Sequence, residues 1–101
     1  MSAKTPFEGV KGTNQAITSS GTSQSVTLPL GSESVRVVNT GATNFCYVAI
    51  GTGTVTATSG DSPVLPGESI VFHKGSYDDT VSVIQNTGAE LILIQPGSGG
   101  I

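Results

Sequence analysis

The chain is expected to fold as a single all-β domain, an antiparallel β-sandwich of jelly-roll or Greek-key type with about eight short strands. Three observations lead there. Apolar residues recur at every second position in short runs, Gly, Pro, Asn or Ser interrupts those runs about every 8–12 residues, and no stretch has helical spacing. Of 101 residues 14 are Gly and only 11% are charged, a composition that suits tight turns between strands and disfavours helices. Hydrophobic content is 36%, concentrated in the alternating runs rather than diluted, which argues against disorder.

Residues 1–13 (M-S-A-K-T-P-F-E-G-V-K-G-T) fit no period and are expected to be a flexible arm, with Phe7 and Val10 available to dock on a neighbouring subunit. The sandwich itself is placed at residues 14–95. Residues 15–18 are expected to form a short strand, and in residues 25–30 Val26, Leu28 and Leu30 alternate with Ser25, Thr27 and Pro29 and should face the core. Pro29 ends that strand or confines it to a sheet edge.

Residues 34–50 read S-V-R-V-V-N-T-G-A-T-N-F-C-Y-V-A-I, two apolar runs flanking N-T-G-A, which predicts a β-hairpin. Residues 81–94 repeat the design around a second N-T-G-A at 86–89, so one hairpin is expected in each of two related halves. Arg36 must reach solvent. That turns Val35 and Val37 inward with Cys46, Val48 and Ile50, and leaves Val38, Phe45 and Tyr47 on the outer side.

Residues 51–61, rich in Thr and Gly, read as a strand or strand pair at a sheet edge. Residues 62–67 (S-P-V-L-P-G) read as a connection, because two prolines forbid a central strand. In residues 69–74 Ile70 and Phe72 share one face, with Val71 and His73 on the other. Residues 75–79 form a polar loop. The last strand, residues 90–95, reads E-L-I-L-I-Q and is apolar on both faces, so it requires a second covering layer that another subunit would supply. Residues 96–101 are expected to be a flexible tail ending in Ile101. The subunit-interface candidates are therefore Phe7, Val10, Val38, Phe45, Tyr47, Leu91, Ile92, Leu93, Ile94 and Ile101.

Chemistry is sparsely represented. His73 and Cys46 are the only histidine and cysteine, and their strands point them apart, so no Cys-His couple forms. No Cys/His spacing suits zinc and no G-x-S-x-G is present. Asp78 and Asp79, joined by Asp61 or Glu68, could bind a hard cation, but adjacent Asp residues at a loop end more often form solvated turns. The reading is thus of a non-enzyme with no catalytic, cofactor or metal residues. A net charge of −3 with four basic residues lacks the Lys/Arg density to neutralise a phosphate backbone, so no nucleic-acid partner is expected, and no apolar run is long enough for a membrane span. One cysteine and no signal-peptide pattern point to synthesis in the cytoplasm.

The order L-P-L-G-S-E-S-V-R-V-V-N-T-G, F-C-Y-V-A-I-G, S-P-V-L-P-G-E-S-I-V-F and a closing P-G-x-G-G-I resembles small structural proteins of tailed bacteriophages, over about three quarters of the chain. These are turn-and-strand patterns rather than a catalytic fingerprint, and no residue's role transfers with them. The resemblance implies a sandwich that decorates or cements the phage head, bound to the major capsid protein or another virion protein as a dimer or trimer. Its location would be the virion. A neck, tail or fibre component is the alternative station. A carbohydrate-binding module, with Tyr47 and Tyr77 beside Asp78 or Asn44 as its platform, is the alternative class.

Overall fold

The computed structural model describes residues 6–75 and 77–100. It contains nine strands: β1 (Glu8–Gly9), β2 (Gln15–Ser19), β3 (Gln24–Thr27), β4 (Ser34–Asn39), β5 (Cys46–Gly51), β6 (Ser62–Val64), β7 (Ser69–His73), β8 (Thr80–Gln85) and β9 (Glu90–Ser98). No helix occurs among the described residues. The partners β5·β6, β4·β7, β3·β8 and β2·β9 nest inside one another, so the chain is one long antiparallel ribbon folded at the β5–β6 connection. The ribbon is rolled by two further pairings, β4·β9 and β5·β8. This gives a first sheet ordered β2–β9–β4–β7, with β1 beside the far end of β9, and a second ordered β3–β8–β5–β6. Two sheets wound in this way are a jelly roll.

Side-chain alternation turns one face of each sheet inward. Ile17, Val35, Val37, Ile92 and Ile94 of the first sheet meet Cys46, Val48, Val64, Val81 and Val83 of the second, with Leu28 closing one end. Each such burial is worth about 1.5–3 kcal/mol. Val26, Ile50, Ile70 and Phe72 pack at the margins. Leu30, expected inside, is exposed because β3 ends at Thr27 and the chain leaves the sheet through Pro29.

The two N-T-G-A segments are not hairpin turns. β4 and β5 lie in different sheets, as do β8 and β9, so each segment is a corner that carries the chain across the sandwich. The inward sets inferred from Arg36 do face one another, but from opposite sheets. The two corners sit side by side. The Asn86 N–H donates to the Phe45 carbonyl, and the Thr40 N–H and hydroxyl both donate to the Leu91 carbonyl. Asn39 is fully buried and ties the first corner together: its Nδ2 donates to the Asn44 carbonyl (3.0 Å) and the Val64 carbonyl (3.2 Å), and its Oδ1 accepts from Gly41 N–H (2.9 Å). Asn86, the matching residue, is exposed. Gly88 has φ of +70°, and a Cβ there would stand 2.8 Å from the Asn44 amide nitrogen. Ser19 and Gln85 join the two sheets at the same end through their side chains.

The long strand β9 carries Pro96 near the middle of its sheet, and its ladder shows why that is tolerated. Thr40 N–H donating to Leu91 fixes the alternation of β4·β9 so that Pro96 turns its nitrogen away from β4, toward the side where β1 and β2 are interrupted. There Val10 N–H still donates to the Pro96 carbonyl at 2.9 Å. The Val10 carbonyl, which an ordinary residue would have matched, accepts instead from Thr13 N–H, the Thr13 hydroxyl and the Gln95 amide. The ends expected to be flexible are therefore partly ordered: residues 8–9 pair with 97–98, and β9 runs three residues beyond the boundary placed at 95. Met1–Thr5 of the expected arm, Ser76 and Ile101 lie outside the described residues.

Two other expectations change. Residues 62–64 are a short strand at the edge of the second sheet, a position where Pro63 costs no ladder bond within a central strand. Residues 52–61 are not a strand but a strap over the outer face of that sheet. The Val55 carbonyl accepts from the Ser82 and Ser25 hydroxyls, the Gly53 carbonyl accepts from Thr80, and Ala57 N–H donates to Ser23.

Replacing Asn39 by Ala orphans buried carbonyls and should lower unfolding free energy by about 2–3 kcal/mol, whereas Asn86→Ala should change it by less than about 0.5 kcal/mol. Urea denaturation of the two variants measures this contrast directly.

Candidate functional site

Among the described residues the histidine and the cysteine are far apart, and the acidic groups and Lys74 are engaged in loops. Cys46 points from β5 into the core with no exposed surface, and burial pushes its thiol pKa up to about 11. His73 is exposed on the outer side of β7, in the other sheet. No couple between them is possible. Among the described residues no group of three or more His, Cys, Asp and Glu could hold a metal ion.

The acidic residues serve turns. Asp78 accepts from Gly75 N–H (2.9 Å) and the Thr52 hydroxyl (2.9 Å), and Asp79 accepts from Gly53 N–H (3.1 Å) and the Thr80 hydroxyl (3.0 Å). These donors, with the nearby Lys74 charge, hold both carboxyls below the usual carboxylate range. Asp61 caps residue Thr58 within the strap, and Glu68 accepts from Leu65 N–H in the β6–β7 connection. Lys74 was not singled out by sequence. It is only 2% exposed, and its ammonium donates to the carbonyls of Asp78 (2.8 Å) and Gly75 (3.3 Å), locking the β7–β8 loop. The only cue was position, since a Lys ending an apolar strand ordinarily reads as a solvated terminus.

Tyr47 and Tyr77 do not form a platform. Tyr47 lies on β5, half-buried beside Phe45, while Tyr77 is 79% exposed in the β7–β8 loop, whose Tyr77 carbonyl accepts from Thr52 beyond the opposite end of β5. Asn44 belongs to the first N-T-G-A corner, away from that loop. An open groove between the chain ends is lined by Glu8, Val10, Lys11, Ser32, Glu33 and Ser98. It presents two carboxylates and an ammonium with no buried polar anchor.

What remains is the pair of outer sheet faces. Register across the first sheet aligns Ala16, Leu93, Val38 and Ser69 in one outer row, with Leu91 opposite Thr18 in the next and Gln95, Arg36 and Val71 beyond. Leu91 is 46% exposed, and Leu93 and Val38 are half-buried. Across the second sheet the row is Ile84, Tyr47 and Pro63, all outward. Phe45 packs edge-on against Tyr47, with centroids 5.5 Å apart and planes at 76°. The strap covers the remainder of that face.

The proposed interface set therefore divides. Val38, Phe45, Tyr47, Leu91 and Leu93 lie on the outer faces, and Val10 is exposed at the chain end. Ile92 and Ile94 do not belong with them: both are fully buried in the chain's own core. The second sheet, not another subunit, supplies the layer that covers that side of β9. Phe7 is half-buried with its ring against Gly97, where a Cβ would come within 2.7 Å of it. Ile101 is outside the described residues. Ile84 and Pro63 were missed, because which residues flank Tyr47 depends on the β5·β8 and β5·β6 pairings.

No family model and no curated protein matches this chain. Among solved structures it is similar to a protein from work on Bacillus endospore appendages, described as a novel family of disulfide-linked pili, with 19% identity, a TM-score of 0.51 and coverage of 97% of this chain and 96% of that one. The likeness extends over the whole sandwich and concerns the fold.

Two outcomes check this description. Below about pH 4 the melting temperature should fall, because the depressed carboxyls of Asp78 and Asp79 stabilise the fold above the ordinary carboxylate pKa and lose that effect as pH drops through their lower folded values. An Asp78→Asn, Asp79→Asn double variant should show a shallower acid slope in thermal scans. Cys46 should resist an aromatic disulfide reagent at pH 8 in the folded chain and react fully once urea unfolds it.

Proposed function

We infer that the chain is a non-enzymatic structural subunit, acting by surface burial on a larger assembly. The observation that carries this reading is the pair of apolar outer rows, Leu91, Leu93 and Val38 on one sheet and Tyr47, Phe45 and Ile84 on the other, in a domain with few charges. Such rows lower the desolvation cost of docking, and a rigid jelly roll presents them without ordering cost on binding. Together with the resemblance in its turn-and-strand order, this favours a decoration or cement protein of a tailed-phage head, seated on capsid protein as a homo-oligomer. Neck, tail or fibre attachment uses the same surfaces.

A second reading, a subunit of a filamentous appendage, is favoured by the fold likeness to the endospore pilus protein. That protein is described as disulfide-linked. Here the single Cys46 is enclosed by the core, so links between folded subunits would have to be non-covalent.

Incubating tagged protein with undecorated capsids and sedimenting the particles tests the first reading. Wild type should co-sediment at a fixed copy number, and Leu91→Glu with Leu93→Glu, or Tyr47→Glu, should weaken binding about ten-fold or more. A wild-type chain that stays in the supernatant and is monomeric at high concentration overturns it. Filaments seen by electron microscopy of the chain alone favour the second reading.

A further inference from the structure

One sheet edge is left open in a way the others are not. The edge of β3 faces β2, and its Thr27 carbonyl accepts from the Gln15 amide at 2.7 Å. The edge strand β6 has three residues and contains Pro63. β7, at the far edge of the first sheet, runs S-I-V-F-H for five residues in unbroken register with β4, without a proline, an acid or a lysine. Proteins ordinarily guard such an edge with a charge, a proline or a bulge, because its unpaired groups will accept another strand.

The direction of those groups can be fixed. Lys74 N–H donates to the Glu33 carbonyl and Asn39 N–H donates to the Glu68 carbonyl, both in the register of β4·β7. Exchange alternates along an antiparallel ladder, so Ile70 and Phe72 bond to β4 while Ser69, Val71 and His73 direct their N–H and C=O groups outward. None of the described residues gives these three a backbone partner. Ile70 and Phe72 also remain only partly buried, although their β4 neighbours Val37 and Val35 are completely covered. The three-residue β6 is too short to shield them.

We propose that β7 is a self-pairing edge: it joins β7 of a second copy antiparallel about a two-fold axis at Val71, making one continuous sheet from the two first sheets. This rests on the assembly reading above and names the contact between copies. The register is self-complementary. Val71 faces Val71 and Ser69 faces His73, so all outward groups pair in about six backbone hydrogen bonds. Ile70 falls opposite Phe72 of the other copy, in the closer non-bonded positions, and the two partly buried residues complete each other's cover. Just beyond the strand Glu68 comes opposite Lys74, so no like charges meet. The second copy fits this edge because the same five residues supply both halves of the match.

Analytical ultracentrifugation over a dilution series, with circular dichroism on every variant, tests the pairing. Wild type should dimerise reversibly. Val71→Lys, whose side chain starts on the outer face beside Gly100, should raise the dissociation midpoint about ten-fold or more while keeping the native spectrum. Val71→Cys should yield a covalent dimer on mild oxidation, and Arg36→Cys, three strand spacings or about 14 Å from its counterpart across the joined sheet, should not. Cys46 is enclosed and does not compete. Folded Val71→Lys that dimerises like wild type, or Val71→Cys that crosslinks no more than Arg36→Cys, overturns the proposal. If capsid binding still depends on Leu91 and Tyr47 in that event, the assembly reading survives alone. If wild type neither dimerises nor binds particles, both fall.

Discussion

The pairing of β4 with β9 holds the architecture together. Without it the chain would be a flat ribbon with an apolar face open to water. With it, the ribbon rolls, and Val35 and Val37 come beside Ile92 and Ile94 as the floor of one core. The same pairing decides what happens at both corners. Because β4 is occupied by β9 and β7, β5 cannot fold back on it and must cross to the other sheet. The polar residues at that end follow from the crossing. Asn39, Ser19 and Gln85 supply side-chain hydrogen bonds where the backbone leaves one ladder before entering the next.

Much of this was legible from residues alone, and the limit falls at an identifiable physical boundary. Alternation located most strands, and the single charge of Arg36 correctly separated inward Val35 and Val37 from outward Val38. Pro29 marked the end of an edge strand. What alternation cannot express is partner choice. A turn sequence such as N-T-G-A says that the chain reverses, not whether the next strand returns to the same sheet, so two corners read as two hairpins. The strand E-L-I-L-I-Q was recognised as apolar on both sides. Which of its residues enter the core depends on register with β4, and so Ile92 and Ile94 could not be told from Leu91 and Leu93. Pro96 inside a strand was invisible for the same reason: it is tolerated only because β1 and β2 part beside it.

The surfaces that remain after folding are unlike one another. On the second sheet the strap of residues 52–61 covers the Ser25 and Ser82 positions by hydrogen bonding, leaving an aromatic corner at Phe45 and Tyr47. On the first sheet the outer rows are aliphatic and interrupted by Arg36. The loop end carrying Asp78, Asp79 and Lys74 is locked by carbonyl and amide contacts, with its charges used internally. A domain built this way spends its polar side chains on its own loops and leaves apolar residues on its broad faces.

Nesting has a consequence for how the chain reaches its native state. Every strand from β1 to β4 finds its partner only among the last strands made, and the outermost pair, β1·β9, closes nearly the whole sequence. Contacts of such long separation must overcome loop-closure entropy before they return any stability, a feature associated with slow folding, in the millisecond-to-second range for small sandwiches. During synthesis β4 can meet β7 and β3 can meet β8 as those strands emerge, but β1 and β2 wait until β9 has left the ribosome. Their low charge and high Ser and Thr content become relevant at that moment, when a more hydrophobic segment would already have found the wrong partner.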